Sequence, residues 1–235
     1  MKVVGLIPCR LESTRLNRKV LLEIKGLPMI IHVYKRAKLS ALDEVCVCTD
    51  SQEVIDICDI YDVPVIKTKQ HINGTDRIAE VAENIKADYF VDVQADEVLV
   101  NPQNINKVIN FHKQTYCDIV LPSVPIVYNE NINIVKVKEA DGSVIDLSRN
   151  NISYLKHFSI ISFTPDALKR FSQCKPTFNE IHNQIELLRA IENNFNVKTI
   201  KIACDSFSVD TREDFENAIE YMKNDKVINL YTQND

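Results

Sequence analysis

The chain predicts an α/β protein of three layers, with a mostly parallel central sheet between helices. Three observations carry this. Short apolar runs alternate with helix-length amphipathic segments through the first half of the 235 residues, the order that right-handed βαβ crossovers produce. Helix-start residues, Ser51, Gly74-Thr75 and Asn101-Pro102, stand just past the apolar runs. From about residue 117 to 163 strands follow strands without helices between them, so a β insertion is expected mid-chain. The whole reads as a single domain over 1–235, with 117–163 as its β-rich subregion.

In order, "KVVGLIP" is a buried strand and "PMIIHVYKRAKLS" a helix with Pro28 at its start. "DEVCVCTD" is a strand and "SQEVIDICDIY" a helix capped by Ser51. "VPVIKT" is a short strand, followed by the helix "GTDRIAEVAENI", beginning at Gly74 or Thr75. "ADYFVDVQADE" is a further buried strand, and "NPQNINKVINFHKQT" a helix capped by Asn101 with Pro102 in its first position. "CDIVLPSVPIVY", "NIVKVKEADGSVIDLS" and "HFSIISFT" are strands, with a hairpin turn at Asp141-Gly142. "NEIHNQIELLRAIENN" is a helix, "VKTIKIA" a strand and "TREDFENAIEYMK" a final helix, after which "LYTQND" frays.

Composition narrows the function classes. A hydrophobic content of 45% with 26% charged residues is that of a globular protein. The net charge of −5 argues against nucleic acid, which needs a basic face. No apolar run approaches the ~20 residues of a membrane span, and the opening strand is unlike a signal peptide, so a cytoplasmic protein without a membrane partner is expected. The seven cysteines, Cys9, Cys46, Cys48, Cys58, Cys117, Cys174 and Cys204, lack metal-ligand spacing and read as free thiols.

In open α/β sheets ligands bind beyond the carboxyl ends of the strands. That points to four loops: 8–19, 49–51, 70–77 and 94–98. The first crowds Arg10, Arg15, Arg18 and Lys19 beside Ser13 and Thr14. In an acidic protein this implies a small anionic ligand, and such groups suit a triphosphate; the alternative is a solvated loop. GxxxxGK[ST] and GxGxxG are both absent. "VQADE" ends a strand on Asp96 and Glu97, and Asp210 stands before the last helix. Each is also an ordinary turn or cap residue, but as a pair facing a cationic loop Asp96 and Asp210 suit Mg²⁺ on a phosphate chain. "HINGTDR" opens a helix whose free N–H groups suit an anion or a base edge, unless it is merely a capped turn.

The run "IPCRLESTRLNRKVLLEIKGLPMIIHV" resembles the opening of the 3-deoxy-manno-octulosonate cytidylyltransferases (CMP-Kdo synthetases), which read P-A-R-x-x-S-T-R-L-P-G-K-P-L and then G-K-P-M-I-x-H-V. "CTD", "HINGTDRIAEV", "VQADE" and "VDTREDF" are similar to that family's A-T-D, H-x-S-G-T-E-R-x-A-E-V, V-Q-G-D-E-P and V-D-T-P-E-D-L, in the same order. The resemblance implies a Rossmann-like nucleotidyltransferase (GT-A-like) fold, and attack of an acceptor oxygen on the α-phosphate of CTP with loss of pyrophosphate. It implies that Arg10, Ser13, Arg15 and Lys19 hold the triphosphate, with Lys19, Arg15 and Asp96 central to catalysis, and that Arg18 faces solvent. Asp96 and Asp210 become Mg²⁺ ligands. Pro8, Cys9, His71, Gly74, Thr75 and Arg77 fall on base-recognising loops, and Gln94 on a nucleotide or sugar contact. Arg149, His157 and Glu186 fall on the side of a small anionic acceptor, and a homodimer through the mid-chain strands is implied.

The acceptor half departs from the family pattern. The segment between Ser148-Arg149 and His157 is short; Ile161 stands for the family's Tyr, and Leu187 for its Gln. Each exchange removes a hydrogen-bonding group. Three acceptors are therefore expected to compete: Kdo, a smaller 3-deoxy-2-keto sugar acid, or another hydroxyl- or phosphate-bearing metabolite, with Kdo the poorer substrate if a smaller one exists. A nucleotide-binding regulatory protein on the same scaffold is the non-enzymatic alternative.

Overall fold

A computed structural model describes residues 1–13, 15–127, 131–150, 153–203 and 206–232. Thr14, Cys204 and the last three residues of "LYTQND" lie outside them.

The chain begins with β1 (Val3–Cys9), every residue of which is buried. A single 3-10 turn, Lys19–Leu21, leads into a hairpin of β2 (Glu23–Ile24) and β3 (Leu27–Pro28). Then come α1 (Met29–Lys38), β4 (Glu44–Thr49), α2 (Gln52–Ile60) and β5 (Val65–Lys67). They are followed by α3 (Gly74–Ala82), β6 (Tyr89–Val93) and α4 (Pro102–Gln114). The mid-chain strands are β7 (Ile119–Val120), β8 (Ser123–Pro125), β9 (Lys136–Ala140), β10 (Ser143–Ser148), β11 (Leu155–His157) and β12 (Ile160–Phe163). The chain ends with α5 (Pro165–Gln173), α6 (Phe178–Asn183), α7 (Leu188–Glu192), β13 (Val197–Lys198), α8 (Arg212–Met222) and α9 (Asn229–Thr232).

Eleven strands form one sheet in the order β5-β4-β1-β6-β12-β7-β13-β10-β9-β11-β8. The expectation of a mostly parallel sheet holds for only part of it. β5, β4, β1 and β6 are parallel, as are β7 and β13. Every other strand pairing is antiparallel, and from β8 to β11 the strands follow one another without the helical crossovers that parallel pairing requires. A bridge from Ser123 to Lys201 sets β8 against the chain leaving β13, so this end of the sheet closes on itself.

Three apolar layers result. One sheet face packs with α1, α2 and α4 around Ile7, Ile30, Val54 and Ile105. The other packs with α3 and α5 around Leu6, Ile78, Phe90 and Phe171. A third cluster joins the β2–β3 hairpin to α8 and α9 through Ile24, Phe215 and Tyr231.

Caps formed largely where the sequence places them. Ser51 and Asn101 accept from the main chain of α2 and α4, and Asp141 and Gly142 both take positive φ, 49° and 72°, as a type I′ hairpin needs. The start of α3 is capped by Asn73, whose Oδ1 accepts from Asp76 N at 2.8 Å, while Pro28 sits just before α1 rather than within it. Three expectations are corrected. The single helix over 179–194 is two, α6 and α7, because Gln184 turns left-handed with φ 53° and ends the first. The strand "VKTIKIA" is a ladder of only two residues. And α8 is not last: α9 docks Tyr231, whose hydroxyl lies 2.8 Å from His32 Nδ1, so that part of the tail is tied down.

Candidate active site

The opening loop, the end of β6 and the turn before α8 meet at Lys19. Its Nζ donates to Asp96 Oδ2 at 2.7 Å and to Asp210 Oδ1 at 3.0 Å. Burial works against the ammonium, but the two carboxylates outweigh it and hold the Lys19 pKa above its ordinary value. Arg15 pairs with the same Asp210 oxygen at 3.0 Å and donates to Asn133 Oδ1 at 3.2 Å. Arg18 points away and pairs with Glu53 at the surface. Asp210 reaches the site because Val209 N donates to Asp96 O at 3.0 Å and because Glu97, buried, accepts from Ser206 and Ser208. Glu97 thus fastens the two carboxylate-bearing segments together, a role the sequence reading missed; a carboxylate following Asp96 in an apolar run was the available signal.

The remaining loops close around this centre. A Cβ on Gly74 would stand 3.2 Å from Pro8 Cγ and 3.3 Å from Gln94 Nε2, so glycine lets the first turn of α3 lie against β1 and β6. Pro8 and Cys9 are buried, and burial raises the Cys9 thiol far above its usual value; what they offer a ligand is shape and main chain. Arg10 and Ser13 line a cavity of about 310 Å³. Arg10, with Asp50, Gln70, His71 and Arg77, lines a second of about 260 Å³. Arg77 is nearly enclosed: it pairs with Asp50 at 2.9 Å and donates to Thr68 and to Lys69 O, so it braces the loops. His71 Nε2 lies 2.5 Å from Glu80.

Of the residues expected on the acceptor side, Glu186 accepts from Thr75 N at 3.2 Å. The group that meets the α3 N-terminus is thus the protein's own carboxyl, and burial raises its pKa against the hydrogen bond from Thr75 N. Arg149 donates to four main-chain carbonyls, of Asn183, Ile132, Asn133 and Gln184. Burial first, then the charge of Arg15, lowers the Arg149 pKa, and Asp210 opposes the shift. His157 stands apart: among the described residues no hydrogen bond or ion pair joins it to the others, its Nε2 is buried without a partner, and burial pushes its pKa down to about 4. Ile161 and Leu187 are core residues.

Asp96 and Asp210 direct two hard oxygen donors at one cation-sized position, now held by the Lys19 ammonium. That donor chemistry fits Mg²⁺, which takes one or two carboxylates and completes its shell with phosphate oxygens and water. Among the described residues no cluster of three or more His, Cys, Asp or Glu could hold a metal unaided.

The sequence pattern described as Cytidylyltransferase matches residues 4–202. The 3-deoxy-manno-octulosonate cytidylyltransferase of Chlorobium phaeobacteroides is 34% identical, over 95% of this chain and 98% of its own. The chain belongs to the 3-deoxy-manno-octulosonate cytidylyltransferase family. The same-named protein of Acidobacterium capsulatum is 35% identical, over 94% of this chain and 96% of its own. A structure of CMP:2-keto-3-deoxy-manno-octonic acid synthetase complexed with CTP superposes with a TM-score of 0.90 at 30% identity, covering 95% of this chain and 99% of that one. A glucose-1-phosphate thymidylyltransferase from Bacillus anthracis, 10% identical with a TM-score of 0.74 over 95% of this chain and 96% of that one, shares the fold. This cytidylyltransferase is therefore a nucleotidyltransferase of the expected α/β fold. No described helix is long and apolar enough to cross a membrane.

Proposed function

We propose that this chain transfers CMP from CTP to a hydroxyl of 3-deoxy-manno-octulosonate, releasing pyrophosphate. The observation that carries the reading is the convergence of Lys19, Arg15, Asp96 and Asp210 at the strand ends, in a family whose relatives bear that activity in their names. Arg10, Ser13, Arg15 and Lys19 hold the triphosphate. As the acceptor oxygen attacks the α-phosphorus, the bond to the β-phosphate oxygen breaks and charge grows on pyrophosphate. Lys19 and Arg15 stabilise that charge. Asp96 and Asp210 would hold Mg²⁺, which would supply further neutralisation of the phosphates. Pro8, Cys9, Gly74, Thr75 and Gln94 shape the nucleotide side, and His71 and Arg77 brace it. Glu186 and Arg149 border the acceptor. We place the whole in one domain acting as a cytoplasmic homodimer through 117–163.

A specific observation favours a second reading of the acceptor. Ile161 and Leu187 are 1% and 3% exposed, so neither position offers a hydrogen bond to a polyhydroxy acid. Two lost contacts of ~1 kcal/mol each weaken binding about tenfold or more, which favours a smaller acidic acceptor with fewer hydroxyls.

The test is pyrophosphate release from CTP with Mg²⁺ and a panel containing Kdo, smaller sugar acids and phosphorylated polyols. Turnover with a sugar acid, and its fall by orders of magnitude in Asp96→Asn, is expected. Near-normal turnover in Asp96→Asn sinks the site, and Kdo as best acceptor with ordinary kcat/KM removes the second reading.

A further inference from the structure

Asp92 is a carboxylic acid where the sheet is otherwise apolar. It lies on β6 between Leu6 of β1 and Ile161 of β12 and is fully buried. Leu6, Cys48, Phe90 and Ile161 belong to the apolar cluster on one side of the sheet, and strand alternation puts Asp92 on the same face as Phe90. Its Oδ2 accepts from Gln94 Nε2 at 2.8 Å, while its Oδ1 has no hydrogen-bond partner. Among the described residues no cation pairs with it. The charged and titratable groups that face it are Glu186, ahead of α7, Asp96, beyond β6, and the Cys48 thiol of β4.

An ionised carboxylate here would be an unpaired buried charge beside two others of the same sign. A neutral acid leaves only one unpaired O–H, the smaller cost. Burial first, then the charge of Glu186, raises the Asp92 pKa well above the carboxylate range, against the opposing bond from Gln94. Gln94 stands two residues further on at the strand end, its amide nitrogen against Gly74.

We infer that Asp92 is a positioning residue, an uncharged acid whose carbonyl oxygen fixes the amide of Gln94 and leaves the Gln94 amide oxygen as an acceptor for substrate. This rests on the reading of Gln94 as a substrate contact. The Asp92 proton is structural, and the amide of an asparagine can replace it.

The experiment measures kcat and KM for CTP and for the sugar acid in Gln94→Ala, Asp92→Asn, Asp92→Leu, Asp92→Ala and the Asp92→Ala/Gln94→Ala pair. Asp92→Leu is expected to raise, by about tenfold, whichever KM Gln94→Ala raises, with a smaller effect on kcat. Asp92→Ala serves if leucine is not accommodated. In the pair, the second substitution adds nothing, and Asp92→Asn restores most of the affinity. Urea unfolding across pH supplies an independent readout. The folded state keeps a proton that the unfolded chain releases near pH 3.9. Wild type therefore loses stability as pH rises from there toward the raised folded value, and Asp92→Asn, in which Glu97 and Glu186 still titrate, shows a shallower slope. Asp92→Asn as impaired as Asp92→Leu, additive effects in the pair, or an unchanged pH slope each overturn the inference. Kinetics insensitive to Gln94→Ala would overturn the reading of Gln94 and the inference with it; a costly Gln94→Ala beside a silent Asp92→Ala overturns the inference alone.

Discussion

Three cations within five positions of the opening loop divide between two fates. Arg18 takes a left-handed φ of 53°, which turns its side chain out to Glu53, and both partners are about half exposed. Such a pair is worth ~0–1 kcal/mol. Arg15 and Lys19 turn inward to Asp210 and Asp96. Arg15→Ala and Lys19→Ala should each lower kcat/KM for CTP by roughly a hundredfold or more, and Arg18→Ala by only a few-fold; steady-state kinetics with Arg18 as the costliest of the three would reverse the assignment. Lys19 also neutralises the carboxylates in advance. Removing it in Lys19→Met leaves Asp96 without its cation and Asp210 with Arg15 alone, and Mn²⁺ titrated without nucleotide, followed by its EPR signal, should bind more tightly than to wild type. Equal affinity in the two proteins would separate Lys19 from the metal position.

Helix starts show how far local chemistry determines an element. Ser51 and Asn101 bond to their own first turns, a decision made within four residues and so readable from them. Thr164-Pro165 carries the same signal for α5, with Thr164 Oγ1 accepting from Ala167 N at 3.1 Å; it is overlooked when attention stays on periodicity. The break at Gln184 has no local signature, because the apolar spacing runs through it. Tertiary contacts fix it: Arg189 on α7 reaches back to Glu180 on α6 at 2.6 Å and across to Asp76 on α3 at 2.7 Å, which a continuous helix over 179–194 does not provide. The same network sets Glu186 beneath the first turn of α3. Arg189→Met would leave Glu180 and Asp76 without their cation in a nearly dry setting. A loss of ~3–5 kcal/mol is expected in urea unfolding; a change below about 1 kcal/mol, the scale of a surface pair, would show that the network does not hold α6 and α7.

Across the whole molecule the sheet divides by the origin of its strands. Those separated by helices, β5, β4, β1 and β6, are parallel, and their carboxyl ends deliver Pro8, Asp50 and Asp96 to one edge, as the order of elements foretells. The remainder, antiparallel apart from β7–β13 and the Ser123–Lys201 bridge, depends on contacts between distant segments, which spacing alone does not encode; Asn133 enters the site from it. This remainder also carries some of the exposed apolar side chains. Val127, Ile132 and Tyr154 are 84%, 68% and 67% exposed, and Ile126 N donates to Tyr154 O at 2.9 Å, so Val127 and Tyr154 adjoin. A self-complementary two-fold contact is the commonest way to cover such a patch. Because Ile132 O and Asn133 O hold Arg149, a partner pressed on this surface would also steady the acceptor border. The protein should therefore elute, by light scattering, at about twice its chain mass of 26.9 kDa. The paired change Val127→Glu and Tyr154→Glu should return it to a monomer with a raised KM for the acceptor and an unaltered KM for CTP. A monomeric wild type, or a dimer indifferent to both charges, would move the interface away from 117–163.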